Sequence, residues 1–150
     1  MRLKFVTMRS VSSETLLVEV ARMLQSCELV YIPTKGDSMK PFIRGEKDMV
    51  GVKKPSGEYR AGMIVLARTL DHRVVLHRIV AVGKEYLDLM GDGNLSGRER
   101  CRRSEVVAVA IYIIKGEDGR KRYLYTKRRM QKWKVWYWLR PVRKWLLRLV

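Results

Sequence analysis

Apolar positions divide the chain into a helical stretch, a long series of strands and a second helical stretch. Near the start, leucine, valine and methionine recur at spacings of three and four residues behind Ser12 and Ser13. This spacing and the serine cap predict an amphipathic helix from Ser13 to Ser26. We expect the helix to pack on a sheet as a lid, and the alternative is that it lies on a membrane.

From Leu29 onward, short runs rich in valine, isoleucine and tyrosine alternate with turn residues, which is typical of strands. The predicted strands are Leu29–Pro33, Met49–Lys53, Met63–Arg68, Val74–Val82, Tyr86–Met90, Val106–Ile114 and Arg122–Tyr125. The pattern therefore predicts a mainly β fold of small coiled sheets. It divides the chain into an N-terminal helix (1–28), a β domain (29–119) and a C-terminal tail (120–150).

Charge separates the tail from the rest of the chain. The 150 residues carry a net charge of +17, and 47% of them are hydrophobic, enough for one domain with a core. From Arg120 to Val150 there are twelve lysines and arginines and no acid. The preceding residues hold twenty bases against fifteen acids, so the body is nearly balanced.

The tail also holds all four tryptophans, interleaved with bases between residues 128 and 150. Its last apolar residues share one helical face, and Pro141 is expected to kink or divide the helix. This composition favours an amphipathic helix docked on an anionic membrane surface. Packing against the body or a protein partner is one alternative, and stacking on single-stranded nucleic acid is another. The oligomeric state stays open.

No cofactor or metal is predicted. Cys27 and Cys101 stand alone, without metal-site spacing, and fit a reducing compartment. No stretch reaches the roughly eighteen apolar residues of a spanning helix, and residues 1–13 lack the apolar run of a signal peptide. We therefore expect a cytoplasmic protein, peripheral on the inner face of the membrane through its tail.

A serine between turn-forming residues is the main candidate for chemistry. Ser38 follows the strand Leu29–Pro33 and lies between Gly36 and Pro41, which favour a bend and end any helix or ladder. Its hydroxyl would stand on a turn beside an unpaired amide, as an acyl-transfer nucleophile requires. By itself the stretch also fits an ordinary Gly-Asp-Ser turn.

His77, in the strand Val74–Val82, is the candidate base. An imidazole with a pKa near neutrality can take the serine proton and deliver it to the leaving amine. Asp92 is the candidate to orient the imidazole, or else it bonds its own backbone as a turn residue. Arg78 should point to the opposite face of the strand and form a structural ion pair, and His72 should be exposed.

Several motifs between Leu29 and Ile114 follow one another in a distinctive order. They are Gly36-Asp37-Ser38-Met39-Lys40-Pro41, the glycine-bounded run from Gly45 to Val52, Gly62-Met63-Ile64-Val65, His77-Arg78-Ile79 and Gly91-Asp92-Gly93-Asn94. This ordered set resembles the type I signal peptidases and the related LexA-like autoproteases. His77 stands where the bacterial enzymes carry a lysine, and a histidine there resembles the archaeal and endoplasmic-reticulum branch.

The resemblance implies a serine endopeptidase of signal-peptidase-like fold that cleaves an extended peptide or protein segment. The segment would add to the strand entering the serine turn and to the strand bearing the base. The residues expected to bind substrate or the oxyanion are Gly36, Asp37, Met39, Tyr31 and Val75. A non-catalytic peptide-binding module of the same fold is the alternative, and self-cleavage is disfavoured because no DNA-binding segment precedes the domain.

The chain departs from the family at three places. Histidine-type members usually carry a second aspartate a few residues after the Gly-Asp-x-Asn motif, where this chain offers only Glu99. Gly36 replaces a serine that in many members helps to bind the oxyanion, so backbone amides would have that task. The membrane helix usual at the N-terminus is not predicted.

Overall fold

The computed structural model describes residues 3–5 and 12–148. These residues form nine strands and three helices, with a 3₁₀ turn at Arg103–Glu105. In chain order the elements are β1 (Leu3–Phe5), α1 (Ser13–Met23), β2 (Leu29–Pro33), β3 (Met49–Lys53), β4 (Ile64–Arg68), β5 (Val74–Val82), β6 (Tyr86–Met90), β7 (Glu99–Arg102), β8 (Val106–Ile114), β9 (Lys121–Tyr123), α2 (Lys127–Trp138) and α3 (Arg140–Arg148).

The strands form one sheet in the order β1-β2-β3-β8-β4-β5-β6-β7, with β9 paired to β8. The pairs are antiparallel except β1 with β2. The predicted mainly β architecture is confirmed, and five of the predicted strands have the predicted bounds. One continuous sheet replaces the expected small sheets because β8 bonds to both β3 and β4.

Two of the strands were not predicted. The strand β7 contains three charged residues and only one apolar side chain, Cys101, which is fully buried. An apolar alternation is therefore missing from its sequence, and the strand exists because β6 supplies its hydrogen-bond partner. The strand β1 pairs in parallel with β2 and spans only three residues.

The helix α1 packs on the sheet, as expected of a lid. The Ser12 hydroxyl caps it by accepting a hydrogen bond from the Thr15 amide at 3.2 Å. Leu17, Val20 and Met23 are buried in the same apolar cluster as the strand residues of β2 and β3. The helix ends at Met23 instead of Ser26, because the last residues turn toward β2.

The tail begins inside the sheet. Its first strand, β9, pairs with β8, and Leu124 is buried in the main core. The helix α2 then starts at a Thr126 cap, and the chain divides at Leu139, two residues before Pro141, in agreement with the predicted division. Within the described residues, no helix combines the length and the hydropathy needed to cross a membrane.

Candidate active site

Ser38 lies in a tight turn directly after β2. Gly36 takes a positive φ of 73°, which a glycine adopts without strain, and the chain then turns with a bond from the Lys40 amide to the Asp37 carbonyl at 3.1 Å. Ser38 is half-buried. Among the described residues, neither its hydroxyl nor its amide has a protein hydrogen-bond partner, so both remain available to a ligand.

The Gly91-Asp92-Gly93-Asn94 loop packs directly against the serine turn. The Gly93 amide donates a hydrogen bond to the Ser38 carbonyl at 2.8 Å. A Cβ added to Gly91 would lie 2.5 Å from the Ser38 carbonyl oxygen, and one added to Gly93 would lie 2.8 Å from the carbonyl oxygen of Asp37. The loop and the serine turn therefore lie in direct contact, since only glycines at positions 91 and 93 allow the two backbones to approach this closely.

His77 is held by Glu99. Its Nδ1 lies 2.6 Å from Glu99 Oε2, and the two side chains are only 7% and 11% exposed. Arg73 also contacts Glu99, at 3.3 Å. When Glu99 accepts the Nδ1 hydrogen, Nε2 of the imidazole carries the free lone pair, which is the state that a general base requires.

Asp92 has a different partner from the one predicted. Both of its carboxylate oxygens accept hydrogen bonds from Arg78, at 2.8 and 2.7 Å, and neither contacts His77 through a hydrogen bond. Successive residues of a strand face opposite sides, so Arg78 points away from His77 and meets the loop on that side. The acid that contacts the imidazole is therefore Glu99 and not the predicted Asp92, whereas the predicted structural ion pair of Arg78 is confirmed.

The ion pair of Arg78 and Asp92 is buried, with 4% and 1% of the two side chains exposed. The Arg78 guanidinium lies 5.5 Å from the ring centre of Phe42 and 5.2 Å from that of Trp133, and it also donates to the Gly62 carbonyl at 2.8 Å. Burial raises the pKa of Asp92, and the guanidinium opposes that rise. The pair thus anchors the loop that contacts the serine turn, and Trp133 of α2 covers the pair on one side.

A cavity of about 190 Å³ lies between the end of β2, the serine turn, the start of β5 and α1. Its walls include Ser38 and His77, together with the predicted residues Gly36, Met39 and Val75. Sequence reasoning did not identify Leu16 of α1, which also lines it. The structure therefore places Ser38 and His77, the predicted nucleophile and base, in the wall of the same cavity.

Two predicted binding residues do not line this cavity. Tyr31 is 3% exposed and packs near Gly51, because alternate residues of β2 face opposite sides of the sheet. Asp37 is exposed and forms an ion pair with Lys40 at 2.7 Å. His72 is exposed in its hairpin turn, as predicted.

Asp48 secures the chain that follows the serine turn. Its buried carboxylate accepts hydrogen bonds from the Arg44 amide at 2.8 Å, the Gly116 amide at 3.0 Å and Lys115 Nζ at 3.1 Å. Burial alone would raise the pKa of Asp48, but these bonds together outweigh it and leave the pKa below its ordinary value. The ionised carboxylate therefore joins this segment to the end of β8.

We expect Asp48→Asn to lower the free energy of unfolding by about 2 kcal/mol at neutral pH, since hydrogen bonds to a charged group are lost. Because the folded pKa is depressed, the contribution of Asp48 is present above its ordinary value of 3.8 and is lost as the pH falls below it. Urea unfolding measures the free energy of unfolding of the wild type and of the variant at neutral pH and at about pH 3. The difference between the two proteins should be smaller at pH 3.

The exposed Glu58 provides a matched control. Glu58→Gln should change the free energy of unfolding by no more than about 0.5 kcal/mol at either pH. If Asp48→Asn lowered the free energy of unfolding by the same amount at both pH values, the result would contradict the view that the ionised Asp48 carboxylate stabilises the fold.

Comparison with known proteins does not place the chain in a family: neither the family models nor the curated proteins include a match. Function is therefore inferred from the geometry of the site and from the order of its motifs. The residue that sequence reasoning placed least well is Glu99. Its signal was its position, since it is the first acid that follows the Gly-Asp-x-Asn motif in the chain.

Proposed function

We propose that this protein is a serine endopeptidase resembling the histidine-type signal peptidases. The observation that carries the proposal is the shared cavity of Ser38 and His77, in which the imidazole is held from behind by Glu99. The single mainly antiparallel sheet, with a serine turn after one strand and the base on another, also agrees with a signal-peptidase or LexA-like fold. The expected cofactor-free mechanism needs only side chains and backbone amides.

In this mechanism, Nε2 of His77 takes the proton of Ser38 Oγ as that oxygen attacks the scissile carbonyl. The negative charge on the substrate oxygen is stabilised by backbone amides, among them that of Ser38, which has no protein partner among the described residues. The imidazolium, stabilised by Glu99, then protonates the leaving amine, and water hydrolyses the acyl-enzyme by the reverse route. A positioned base of this kind contributes roughly 10²–10⁴ in rate.

The substrate would bind as an extended strand. In β5, residues Val74–His77 pair with β4 on one side, whereas β6 joins the other side only from Arg78 onward. That leaves an edge of β5 beside the cavity to which none of the described strands is paired. Main-chain bonds along this edge would supply affinity, and the cavity, which has both polar and apolar walls, would select one side chain of the substrate.

A peptide-binding module without catalysis is the second candidate. It is favoured by the lack of a hydrogen bond between Ser38 and His77 among the described residues. Catalytic hydrogen bonds are often long before substrate binds, so the lack of this bond is also compatible with a peptidase that has no substrate bound.

The two candidates are separated by reacting the full chain with a fluorophosphonate, which modifies activated serine hydroxyls, and mapping the modified peptide by mass spectrometry. The expected result is modification of Ser38 that disappears in Ser38→Ala and persists in Ser96→Ala, a control at an exposed serine. Wild-type protein that stays unmodified would contradict the peptidase, and modification that persists in Ser38→Ala would contradict this nucleophile.

A further inference from the structure

The helices α2 and α3 have an apolar face that the rest of the described chain does not cover. Six side chains at spacings of three and four residues form it, which we name the exposed stripe: Val135, Trp138, Leu139, Val142, Trp145 and Leu146. Each is between 43% and 79% exposed, and Trp138 is the most exposed of them. Contiguous apolar surface of this kind marks an interaction site.

The stripe continues across the junction of the two helices. The Leu139 amide bonds to the Val135 carbonyl at 3.0 Å, and the Arg143 amide bonds to the Leu139 carbonyl at 2.9 Å. Pro141 has no amide hydrogen to donate, and Arg140 Nε instead bonds to the Tyr137 carbonyl at 3.2 Å. Bonds of helical spacing are therefore present on both sides of the division at Leu139, and the apolar residues keep their spacing of three and four positions across it.

The opposite face of α2 is already occupied by the body of the protein. Trp133 is 6% exposed and stacks on Arg78, and Trp136 Nε1 donates to the Asp92 carbonyl at 2.7 Å. Tyr137 accepts a hydrogen bond from Arg98 at 2.8 Å. Packing against the body, one of the interpretations of the tail, thus accounts for these aromatic residues and leaves the stripe outside.

Charge indicates what covers the stripe. The exposed bases of the two helices are Lys127, Arg128, Lys132, Lys134, Lys144 and Arg148. The segment from residue 120 to the end has no acid to offset them. A second copy laid on the same face would bring like charges together, whereas an anionic surface would neutralise them.

We infer that the exposed stripe docks on the surface of an anionic phospholipid bilayer, with the helices lying in the plane of the interface. Apolar side chains, including Trp138 and Trp145, enter the boundary between headgroups and acyl chains, and the surrounding bases contact lipid phosphates. This inference does not depend on the proposed peptidase activity. It would attach the body to the membrane through α2, the helix that also closes the back of the candidate site.

The test is co-sedimentation of the full chain with vesicles of phosphatidylcholine alone and of phosphatidylcholine mixed equally with phosphatidylglycerol. We expect binding to the mixed vesicles that weakens at high salt, and at least about tenfold weaker binding to the neutral ones. Tryptophan emission should shift to the blue on the mixed vesicles, because exposed indoles enter an apolar environment.

Variants assign the binding to the stripe. Trp138→Ser combined with Trp145→Ser should weaken partition into the mixed vesicles about tenfold or more, and Lys134→Gln combined with Lys144→Gln should do the same. The matched control, Val18→Ser combined with Val82→Ser, changes exposed apolar residues outside the stripe and should bind like the wild type. Circular dichroism of each variant verifies that it is folded.

Three results would overturn the inference. One is vesicle binding that the tryptophan variant leaves intact. Another is the absence of vesicle binding together with tryptophan-dependent binding of a single-stranded oligonucleotide at the same salt, which would make nucleic acid the occupant. The third is a dimer in sedimentation equilibrium that the tryptophan variant dissociates, which would make a second copy the occupant.

Discussion

His77→Ala should slow the fluorophosphonate modification of Ser38 by about 10²–10⁴-fold, while the protein remains folded. The serine hydroxyl is a weak nucleophile at neutral pH, and the imidazole that shares its cavity is the group placed to take its proton. The second-order rate constant of modification, measured by intact mass over time, provides the comparison. A loss smaller than about tenfold would contradict the role of His77 as base.

Glu99→Gln should also slow the fluorophosphonate modification of Ser38, because Glu99 is the acid proposed to orient His77. The amide can present its NH₂ to Nδ1 and so favour the wrong tautomer of His77, which in a related arrangement costs up to about 10⁴-fold. Arg73→Gln is the matched control, because Arg73 is the other partner of Glu99 but lies 58% exposed at its side chain. We expect Arg73→Gln to keep the rate within about threefold, since exposed ion pairs contribute little.

Arg78→Met should lower the free energy of unfolding by about 3–5 kcal/mol, the largest effect on stability that we expect. The substitution leaves the Asp92 carboxylate without its guanidinium in a buried position, where the two side chains are 4% and 1% exposed. It also removes the cation that stacks between Phe42 and Trp133. Urea unfolding monitored by fluorescence measures the change.

Arg100→Met is the comparison for this prediction. Arg100 pairs with Asp88 at 2.9 Å, but its side chain is 57% exposed, so the cost should be much smaller than that of Arg78→Met. The double variant Arg78→Met with Asp92→Asn should recover part of the loss, because the uncompensated charge is gone. Equal costs for Arg78→Met and Arg100→Met would show that the buried pair does not anchor the loop.

Helix α2 links the two proposals structurally. Through Trp136 it holds the carbonyl of Asp92, whose loop in turn contacts the Ser38 carbonyl through Gly93. Its opposite face carries the exposed stripe. A ligand on the stripe would therefore lie one helix away from the loop that contacts Ser38, the proposed nucleophile.

Local patterns were sufficient to predict most of the elements. The strand bounds of β2, β3, β5, β6 and β8 follow from short apolar runs between turn residues, because burial of both faces of a strand demands such runs. The serine turn and the division near Pro141 follow from backbone restrictions that act within a few residues. The opposite orientations of His77 and Arg78 follow from the alternation of side chains along a strand.

Only the tertiary structure decided which partners these side chains meet. Alternation placed His77 and Arg78 on opposite faces, but it did not tell which acid lies on each face, and the structure assigns Glu99 to the first and Asp92 to the second. The sequence likewise separated a cationic, aromatic tail from a balanced body. Which tryptophans are buried depends on contacts with distant residues such as Arg78 and Asp92, and such long-range contacts leave no periodic trace in the local sequence.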